Sequence, residues 1–416
     1  MSTPLGTYFN RRMLLLLAMA FSSGLPLALT GSTLQAWMTV EHVDLKVIGI
    51  FSLVGWPYTV KYLWAPVMDR YSISALGRRR GWLLATQVAL LVLIGVMGSS
   101  QPASAPLMVA SIAVLIAFFS ASQDIVIDAY RADLLSKEEL AAGAAIAILG
   151  YRLGMLTSGA MALILAATVS WGTIYLIMAG AMGVGILATL CAPEPTESVD
   201  FKAPTKLADA VIHPLLDYFK RRGALEILAF IILYKIGDVM AMALNTSFLL
   251  QLGFATEEVG TVSKVFGLIA SIVGSIVGGA FVPKLGMKRS LMLFGVIQGG
   301  AILTFALLAA TGKNMNLMIL AVGAENFTSG LGNAAFIAFL MGLCNKRYTA
   351  TQYALLSSLA AISRILAGVP SGFFVEAYGW TAWYLLCAAA AIPALILVWV
   401  RFEAWNSGPE NASVPA

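Results

Sequence analysis

Long apolar runs separated by short polar turns make up most of this chain. A helix needs about 20 apolar residues to cross the hydrocarbon core of a bilayer, and most of the runs reach that length. Barrel strands would be about half as long and would alternate in polarity, which these runs do not. We therefore expect an all-α membrane protein. The pattern predicts twelve transmembrane helices, at residues 13–38, 47–68, 82–98, 106–130, 142–168, 172–191, 223–250, 259–283, 288–311, 315–343, 350–377 and 381–401.

The longest polar break, residues 192–222, divides the predicted spans six and six. It opens with Pro193 and Pro195, and an apolar residue then recurs at every fourth position from Leu207 to Phe219. That spacing is typical of an amphipathic helix, which we expect to lie on the membrane surface. The predicted domains are an N-terminal six-helix bundle (1–191), a cytoplasmic linker (192–222), a C-terminal six-helix bundle (223–402) and a cytoplasmic tail (403–416).

The two halves share an order of motifs. Arg152 is followed by Trp171-Gly172-Thr173, and Arg364 is followed by Gly379-Trp380-Thr381. Repeats with the same orientation are related by an axis along the membrane normal and hold their substrate near the midplane. This arrangement resembles the major facilitator fold, so we expect the two bundles to surround a central cavity.

Composition supports a membrane location, and the basic residues indicate the orientation. Only 11% of the 416 residues are charged, against roughly 25% in soluble domains. With the N-terminus in the cytoplasm, most of the 26 Lys and Arg fall in cytoplasmic loops or helix ends. This bias predicts that both termini are cytoplasmic. The net charge of +5 then reflects topology, and we expect no nucleic-acid partner.

Histidine and cysteine are too few and too scattered for a metal site. His42 and His213 both lie outside the predicted spans, and the three Cys residues show no pairing by spacing. Zinc sites require several such ligands around one ion, so we expect neither a metal nor another cofactor. Any proton relay within the membrane must then use carboxylates.

Basic residues inside the spans indicate where function lies. A charged group at mid-membrane costs about 2.5–3.5 kcal/mol even on the insertion scale, so protein or water must receive it. We therefore expect a polar cavity between helices, although the residue nearest the outer surface, Lys264, is expected to extend to that surface. Apart from those at the cytoplasmic helix ends, the basic residues within the predicted spans are Lys61, Arg152, Lys235, Lys264 and Arg364.

Asp124 and Arg152 lie at similar distances from the turn near residues 136–139, about 20 Å at 1.5 Å per residue. Their matching depth predicts an ion pair. The pair would favour ionised Asp124, and losing the contact would favour its protonated form, as proton coupling requires. The alternative is a static salt bridge that orients two helices. Asp128, four residues after Asp124, lies on the same helical face and extends the candidate proton path.

The seventh predicted span carries Lys235 and Asp238, whose i, i+3 spacing lets them neutralise each other. Asp238 is therefore a further candidate for proton coupling. The expected counterpart of Asp124 in the second half is Asn333, which cannot titrate. The comparison of the halves thus indicates that only the first half carries a titratable acid at this position, and hence a single proton site there.

Amide and aromatic side chains in the spans suit a ligand that offers hydroxyls, amides and flat CH surfaces. Singly, such residues are more often helix–helix contacts. Basic residues at the same depth would attract an anionic ligand. The candidate substrate-binding residues are Gln35, Trp56, Lys61, Gln123, Arg152, Lys235, Asn245, Asn326, Gln352, Tyr353 and Arg364.

The turn after the second span reads Pro66-Val67-Met68-Asp69-Arg70, followed by Gly77-Arg78-Arg79-Arg80. It resembles the loop signature of the major facilitator family, in which the aspartate closes the cytoplasmic side against the other half. The alternative is an ordinary positive-inside loop. The resemblance assigns the role of a gating latch to Asp69, Arg70, Arg78, Arg79 and Arg80.

Six stretches, mostly in the first half, carry a further resemblance: Phe21–Thr30, Leu34–Met38, Tyr62–Arg70, Gly77–Leu84, Ala121–Val126 and Leu149–Met155. In combination they resemble the family of AmpG muropeptide permeases. The resemblance implies a monomeric, proton-coupled importer that works by alternating access in the inner membrane of a Gram-negative bacterium. Its substrates would be N-acetylglucosaminyl-1,6-anhydro-N-acetylmuramyl peptides, carried from periplasm to cytoplasm for peptidoglycan recycling and β-lactamase induction.

Other functions remain as alternatives. The related acetyl-CoA transporters share a motif like Gln123-Asp124, so the substrate could be an acyl-CoA or another large anionic metabolite. A membrane-embedded transferase would need a nucleophile, a metal site or a cluster of acids at one membrane face, and we find none. A non-transporting sensor would carry a soluble signalling domain, which we also do not find. We therefore expect a transporter and not an enzyme.

Overall fold

The computed structural model describes residues 10–71, 73, 76–135, 139–195, 223–343 and 349–406. These residues are almost entirely helical, and no strand occurs among them. The prediction of an all-α chain is therefore confirmed for this part of the sequence.

The first half contains eleven α-helices among the described residues. Short 3-10 turns at Phe51–Gly55 and Lys61–Leu63 separate α3, α4 and α5, and a π-helical stretch at Thr157–Met161 joins α8 to α9. The helices are α1 (Arg11–Thr30), α2 (Ser32–Val40), α3 (Leu45–Ile50), α4 (Trp56–Val60), α5 (Ala65–Arg70), α6 (Arg78–Gly98), α7 (Pro106–Leu134), α8 (Leu140–Leu156), α9 (Ala162–Leu165), α10 (Trp171–Ala181) and α11 (Gly183–Cys191).

The second half continues in the same way. A π-helical stretch at Gly260–Phe266 joins α14 to α15, and a kink at Gly379 (φ 81°, ψ 170°) interrupts α18 where the last two predicted spans meet. The helices are α12 (Ala224–Ala243), α13 (Asn245–Gln251), α14 (Thr256–Val259), α15 (Gly267–Leu285), α16 (Met287–Thr311), α17 (Met315–Leu343), α18 (Thr349–Ala390) and α19 (Ile392–Asn406).

Within the described residues, 9 helical segments are long and apolar enough to cross a membrane. One of them, Ala367–Trp405, takes in most of the last two predicted spans, and the shorter Leu45–Val60 belongs to the second. The 29 residues of α17 also have the length that a span requires. The chain is thus a multi-pass membrane protein, and the number twelve stays a prediction.

The second predicted span is broken, and its prolines explain why. Pro57 and Pro66 each stand in the first turn of a short helix, α4 and α5. Proline lacks an amide hydrogen and fits the start of a helix better than its interior, so the span restarts at each proline. The break leaves Lys61 at the start of a 3-10 turn.

The chain divides into two compact units. The first unit is Met1–Ala203 with Ala255–Lys264, and the second is Pro204–Phe254 with Val265–Ala416. In the first, α1 packs against α7, α8 and α11; in the second, α15 and α16 pack on α17, and α18 contacts α12 and α16. Residues 196–222, most of the predicted linker, lie outside the described residues.

Small residues bring α1 and α8 into backbone contact. A Cβ atom on Gly150 would overlap the carbonyl oxygen of Leu17, and one on Gly154 would overlap that of Phe21. Small residues allow this close approach between membrane helices. The contact turns the Gly150 and Gly154 face of α8 towards α1, which fixes where the rest of α8 points.

Candidate functional site

Asp124 forms the centre of a polar cluster in the first unit. It lies on α7, is partly buried, and accepts a hydrogen bond from the Ser23 hydroxyl of α1. A hydrogen bond to an ionised carboxylate is stronger than one between neutral groups. Lys61, in the broken second span, supplies a positive charge near the carboxylate. Asp124 therefore has a hydroxyl donor on one helix and a cation on another segment.

The predicted ion pair between Asp124 and Arg152 is wrong. Both residues are described, and no salt bridge joins them; Arg152 is exposed. The reason lies in the packing of α8. Gly150 and Gly154 face α1, and at about 100° per residue Arg152 points to the opposite side of the helix. Matching depth did not imply matching direction, and Lys61 is the cation beside Asp124 instead.

Buried polar atoms surround Asp124. The side chain of Gln123 is fully buried, and neither of its amide atoms has a hydrogen-bond partner among the described residues. The hydroxyl groups of Tyr58 and Ser120 are buried and lie beside each other, but neither forms a hydrogen bond of good geometry with a described residue. Leaving such a group unpaired costs about 1–3 kcal/mol, so these atoms favour a ligand or water that can pair with them.

Asp128 lies one turn after Asp124 and is much more exposed. Its side chain is 62% exposed and forms an ion pair with Arg131 at 3.1 Å. The spacing is i, i+3, as in an ordinary surface pair on a helix. Asp128 therefore lies at the solvent-exposed end of the helical face that it shares with Asp124.

A second polar cluster lies in the second unit. The Lys235 ammonium is 3.5 Å from Oδ2 of Asp238, which confirms the predicted neutralisation of the two groups. The Ser329 hydroxyl of α17 donates to the same oxygen at 3.2 Å. The Lys235 nitrogen also lies 5.7 Å from the ring centre of Phe336, within cation–π range.

Glu325 on α17 belongs to this second cluster and was missed from the sequence. It is 1% exposed, and the charges of Asp238 and Lys235 act on it. The available signal is an acid in the middle of the apolar tenth span, which a search for basic residues inside the spans and for acids near them does not reveal. Its neighbour Asn326, which was predicted, donates instead to the Val322 carbonyl of its own helix at 2.9 Å.

The remaining predicted binding residues are divided between the units. Gln35 on α2 is partly buried, Trp56 at the start of α4 is 47% exposed, and Asn245 at the start of α13 is buried with an unpaired carbonyl oxygen. The side chains of Gln352, Tyr353 and Arg364 on α18 lie outside the described part of the structure.

Three arginines of the predicted latch, Arg78, Arg79 and Arg80, form ion pairs or hydrogen bonds within the first unit. Arg79 is 3% exposed, and its Nε donates to Asp133 at 2.8 Å, while Arg78 lies 3.9 Å from the same carboxylate. Arg80 donates to the Thr189 and Leu190 carbonyls. The side chains of Asp69 and Arg70 are not among those described, so the latch stays a prediction.

Glu194 caps the N-terminus of α6. Like Glu325, it was not among the residues predicted from the sequence. Its two carboxylate oxygens accept from the backbone nitrogens of Arg79 at 2.8 Å and Arg80 at 3.0 Å. A carboxylate at a helix N-terminus satisfies unpaired amides and complements the helix dipole. Gly77, at φ +100°, makes room, because a Cβ there would overlap the Glu194 side chain. The cap ties the start of the predicted linker to the first unit.

Within the described residues, no group of three or more His, Cys, Asp and Glu side chains is arranged to hold a metal ion. The two clusters instead offer carboxylates, ammonium groups, hydroxyls and amides. These groups can bind and release protons and can hold a polar or anionic ligand by hydrogen bonds and charge.

Comparison with known proteins gives a consistent result. The sequence model of the Major Facilitator Superfamily matches residues 16–368. The chain is 52% identical over 391 residues to the anhydromuropeptide permease of Escherichia coli (strain K12), covering 94% of this chain and 79% of that protein. It is also 32% identical to the putative transporter AmpG 1 of Rickettsia bellii, covering 90% of this chain and 94% of that one.

Solved structures with a similar fold are also transporters. The nucleoside transporter NupG superimposes with a TM-score of 0.71 at 16% identity, covering 94% of this chain and 99% of that one. A D-xylose–proton symporter superimposes with a TM-score of 0.70 at 10% identity, covering 98% of this chain and 100% of that one. At such low identity the likeness shows a common fold alone.

Proposed function

Because this chain belongs to the major facilitator superfamily, and within it to the family of the anhydromuropeptide permeases, we propose that it imports anhydromuropeptides by proton symport. Family membership makes the chain a transporter and not an enzyme. The observation that carries the substrate is the 52% identity to the E. coli permease across 94% of this chain. The coupled ion and the residues below are our proposal.

The chemistry of the substrate fits the side chains of both clusters. An anhydromuropeptide offers sugar hydroxyls, acetamido groups and peptide carboxylates. Buried amides such as those of Gln123 and Asn245 can exchange hydrogen bonds with hydroxyls and acetamido groups. Lys61, Lys235 and Arg152 would attract the peptide carboxylates, and the exposed Trp56 indole offers a flat face for a sugar ring.

Proton coupling is assigned to Asp124 through its relation to Lys61. While Asp124 is ionised, its charge holds Lys61 and competes with an anionic substrate for it. Protonation of Asp124 removes that competition and leaves Lys61 free to bind a substrate carboxylate. Proton and substrate would then bind together, which is the condition for symport. Asp128, one turn away and exposed, would pass protons to or from solvent.

The transport cycle follows from the division of the chain into two units. Transporters built from repeats change access largely by moving one unit against the other around a site near the midplane. We propose this alternating access for the two units here, in a monomer of the bacterial inner membrane with both termini in the cytoplasm. Import towards the cytoplasm would serve peptidoglycan recycling and, through the imported products, β-lactamase induction.

The test is uptake of radiolabelled anhydromuropeptide into proteoliposomes that hold the purified chain. We expect accumulation above the outside concentration with an inwardly directed proton gradient, and only equilibration without one. Accumulation that does not depend on the gradient would contradict proton symport. Uptake of an acyl-CoA in place of the muropeptide would replace the proposed substrate by another large anion.

A further inference from the structure

The cluster around Glu325 holds two carboxyl groups and one ammonium group inside one unit. Asp238 contacts Lys235 at 3.5 Å and accepts from Ser329 at 3.2 Å. Glu325 is 1% exposed, and its carboxylate oxygens accept no hydrogen bond of good geometry from the described residues, while the Asp238 carboxyl group and Gln298 lie beside it. The two acids come from different helices, α12 and α17, and act on each other electrostatically.

An unpartnered amide points into the same region. Gln298 on α16 is 5% exposed, and its Nε2 has no hydrogen-bond partner within the described residues. It lines a small cavity together with Asp238 and Tyr234. Gln298 also lies beside Glu325. The cavity therefore reaches Asp238 of the charged pair, and Gln298 on its wall lies beside the buried acid Glu325.

Charge balance decides how many protons this cluster holds. One ammonium group can balance one carboxylate, and a second buried, unpaired carboxylate carries a desolvation cost of several kcal/mol. The other ionisable neighbours supply no positive charge. Tyr234 acts on Asp238, and Tyr384 and Cys387 of α18 act on Glu325. All three side chains are ordinarily neutral at pH 7.

Among the described side chains, the other helices packed on α17 add no compensating charge at this depth. The ionisable residues of α15 and α16 that bear a charge, namely Lys284, Lys288 and Arg289, are near the helix ends. On α18, the side chain of Arg364 is outside the described part of the structure. The groups that the structure describes around Glu325 thus balance only one of the two acids.

We infer that Asp238, Glu325 and Lys235 form a second proton-binding site, in which two carboxyl groups share one bound proton opposite one ammonium group. Asp238 is the ionised member, because Lys235 and Ser329 both contact it. Glu325 carries the proton. Such sharing is the usual behaviour of two carboxyl groups in one buried site.

The site has a direct way to respond to substrate. If Lys235 turns to a substrate carboxylate, Asp238 loses its cation and takes up a proton, and the cluster remains neutral. When the substrate leaves, Lys235 returns and one proton is released. This role rests on the proposed proton-coupled import, but the bound proton itself does not. The second half would then contribute to coupling, which the Asn333 comparison in the sequence did not indicate.

The bound proton is tested by infrared spectroscopy of the purified chain, because the carbonyl stretch of a protonated carboxyl group is separate from that of a carboxylate. We expect a protonated-carboxyl band at neutral pH that disappears in Glu325→Gln and shifts in Asp238→Asn. Glu226→Gln is the control, since Glu226 is ionised in its pair with Arg401 at 2.7 Å. A wild-type spectrum in which Glu325→Gln removes no such band would overturn the inference.

The coupling role is tested separately in proteoliposomes. We expect Glu325→Gln to lose gradient-driven accumulation of anhydromuropeptide and to retain exchange of internal for external substrate. Unchanged accumulation would overturn the coupling role. Failure of the wild-type chain to transport muropeptide would contradict the proposed function. The infrared band would still show whether Glu325 carries a proton. A cluster that responds to Na⁺ and not to pH would contradict the proton site.

Discussion

Two carboxylates in this chain, Asp124 and Asp238, are held in similar ways at the residue scale. Each accepts a hydrogen bond from a serine on another helix, Ser23 or Ser329, and each has one lysine near it. A carboxylate so balanced is stable while its lysine stays in place. It becomes a proton acceptor when the lysine is drawn away. We propose that the same residue types give each unit a group whose charge depends on where a neighbouring cation points.

Asp124→Asn should separate coupling from transport. Asparagine keeps the shape and can still accept from Ser23, but it cannot bind the proton, so gradient-driven accumulation should be lost while exchange persists. In proteoliposomes, counterflow measures exchange, and uptake driven by a proton gradient measures accumulation. Glu403→Gln, which replaces an exposed carboxylate paired with Lys288, is the control and should behave as wild type. Normal accumulation by Asp124→Asn would remove Asp124 from the coupling role.

Lys235→Met should lower the stability of the second unit by about 3–5 kcal/mol, because it leaves Asp238 without its cation. Adding Asp238→Asn should restore most of that loss, since Glu325 is already neutral. Adding Glu325→Gln in its place should not, because Asp238 still lacks its cation and must either stay unpaired or take up a proton. Thermal unfolding of the purified variants in detergent makes the comparison. Equal rescue by both second substitutions would show that the charge is not localised on Asp238.

The residue scale is also where the sequence was least informative. Depth along a helix can be counted from a turn, and that count suggested Arg152 as the partner of Asp124. Direction around the helix depends on which face packs, and Gly150 and Gly154 turned that face to α1. Lys61 is instead the cation whose charge acts on Asp124, and it lies in the broken second span. Neither the direction of Arg152 nor the position of Lys61 can be derived from residue spacing alone.

At the scale of elements, helix ends were predictable where a clear polar break or a proline marked them. The predicted span 106–130 corresponds to Pro106–Leu134, and 315–343 corresponds to Met315–Leu343. The second span was predicted as one helix, but Pro57 and Pro66 divide it. Apolar composition sets where the chain crosses the membrane, whereas Pro57 and Pro66 divide the second crossing into short helices.

The contact between α1 and α8 carries the next prediction. Gly154→Ala should destabilise the first unit by about 1–3 kcal/mol, because the added methyl group overlaps the backbone of Phe21 and Gly24. Thermal unfolding in detergent measures the loss. Gly180→Ala on α10 is the control, since a Cβ there meets nothing within 4 Å. Equal stability of the two variants would mean that α1 and α8 do not pack through these glycines.

At the scale of the whole molecule, the chain belongs to the superfamily whose fold it shares, and its two units each hold a carboxylate–lysine cluster. The sequence predicted the class of fold and the candidate acids Asp124 and Asp238. It did not identify Glu325, because a single buried acid becomes meaningful only when the packing of α12 and α17 brings it beside Asp238. The proposed coupling therefore depends on assembly as much as on composition.

The most direct test of coupling records protons and substrate in the same experiment. Anhydromuropeptide is added to proteoliposomes with no starting gradient, in weakly buffered medium, while external pH and substrate uptake are followed together. Proton symport predicts that the medium becomes alkaline as substrate enters, and that Asp124→Asn abolishes the pH change. Substrate entry by the wild-type chain with no accompanying proton movement would contradict the account.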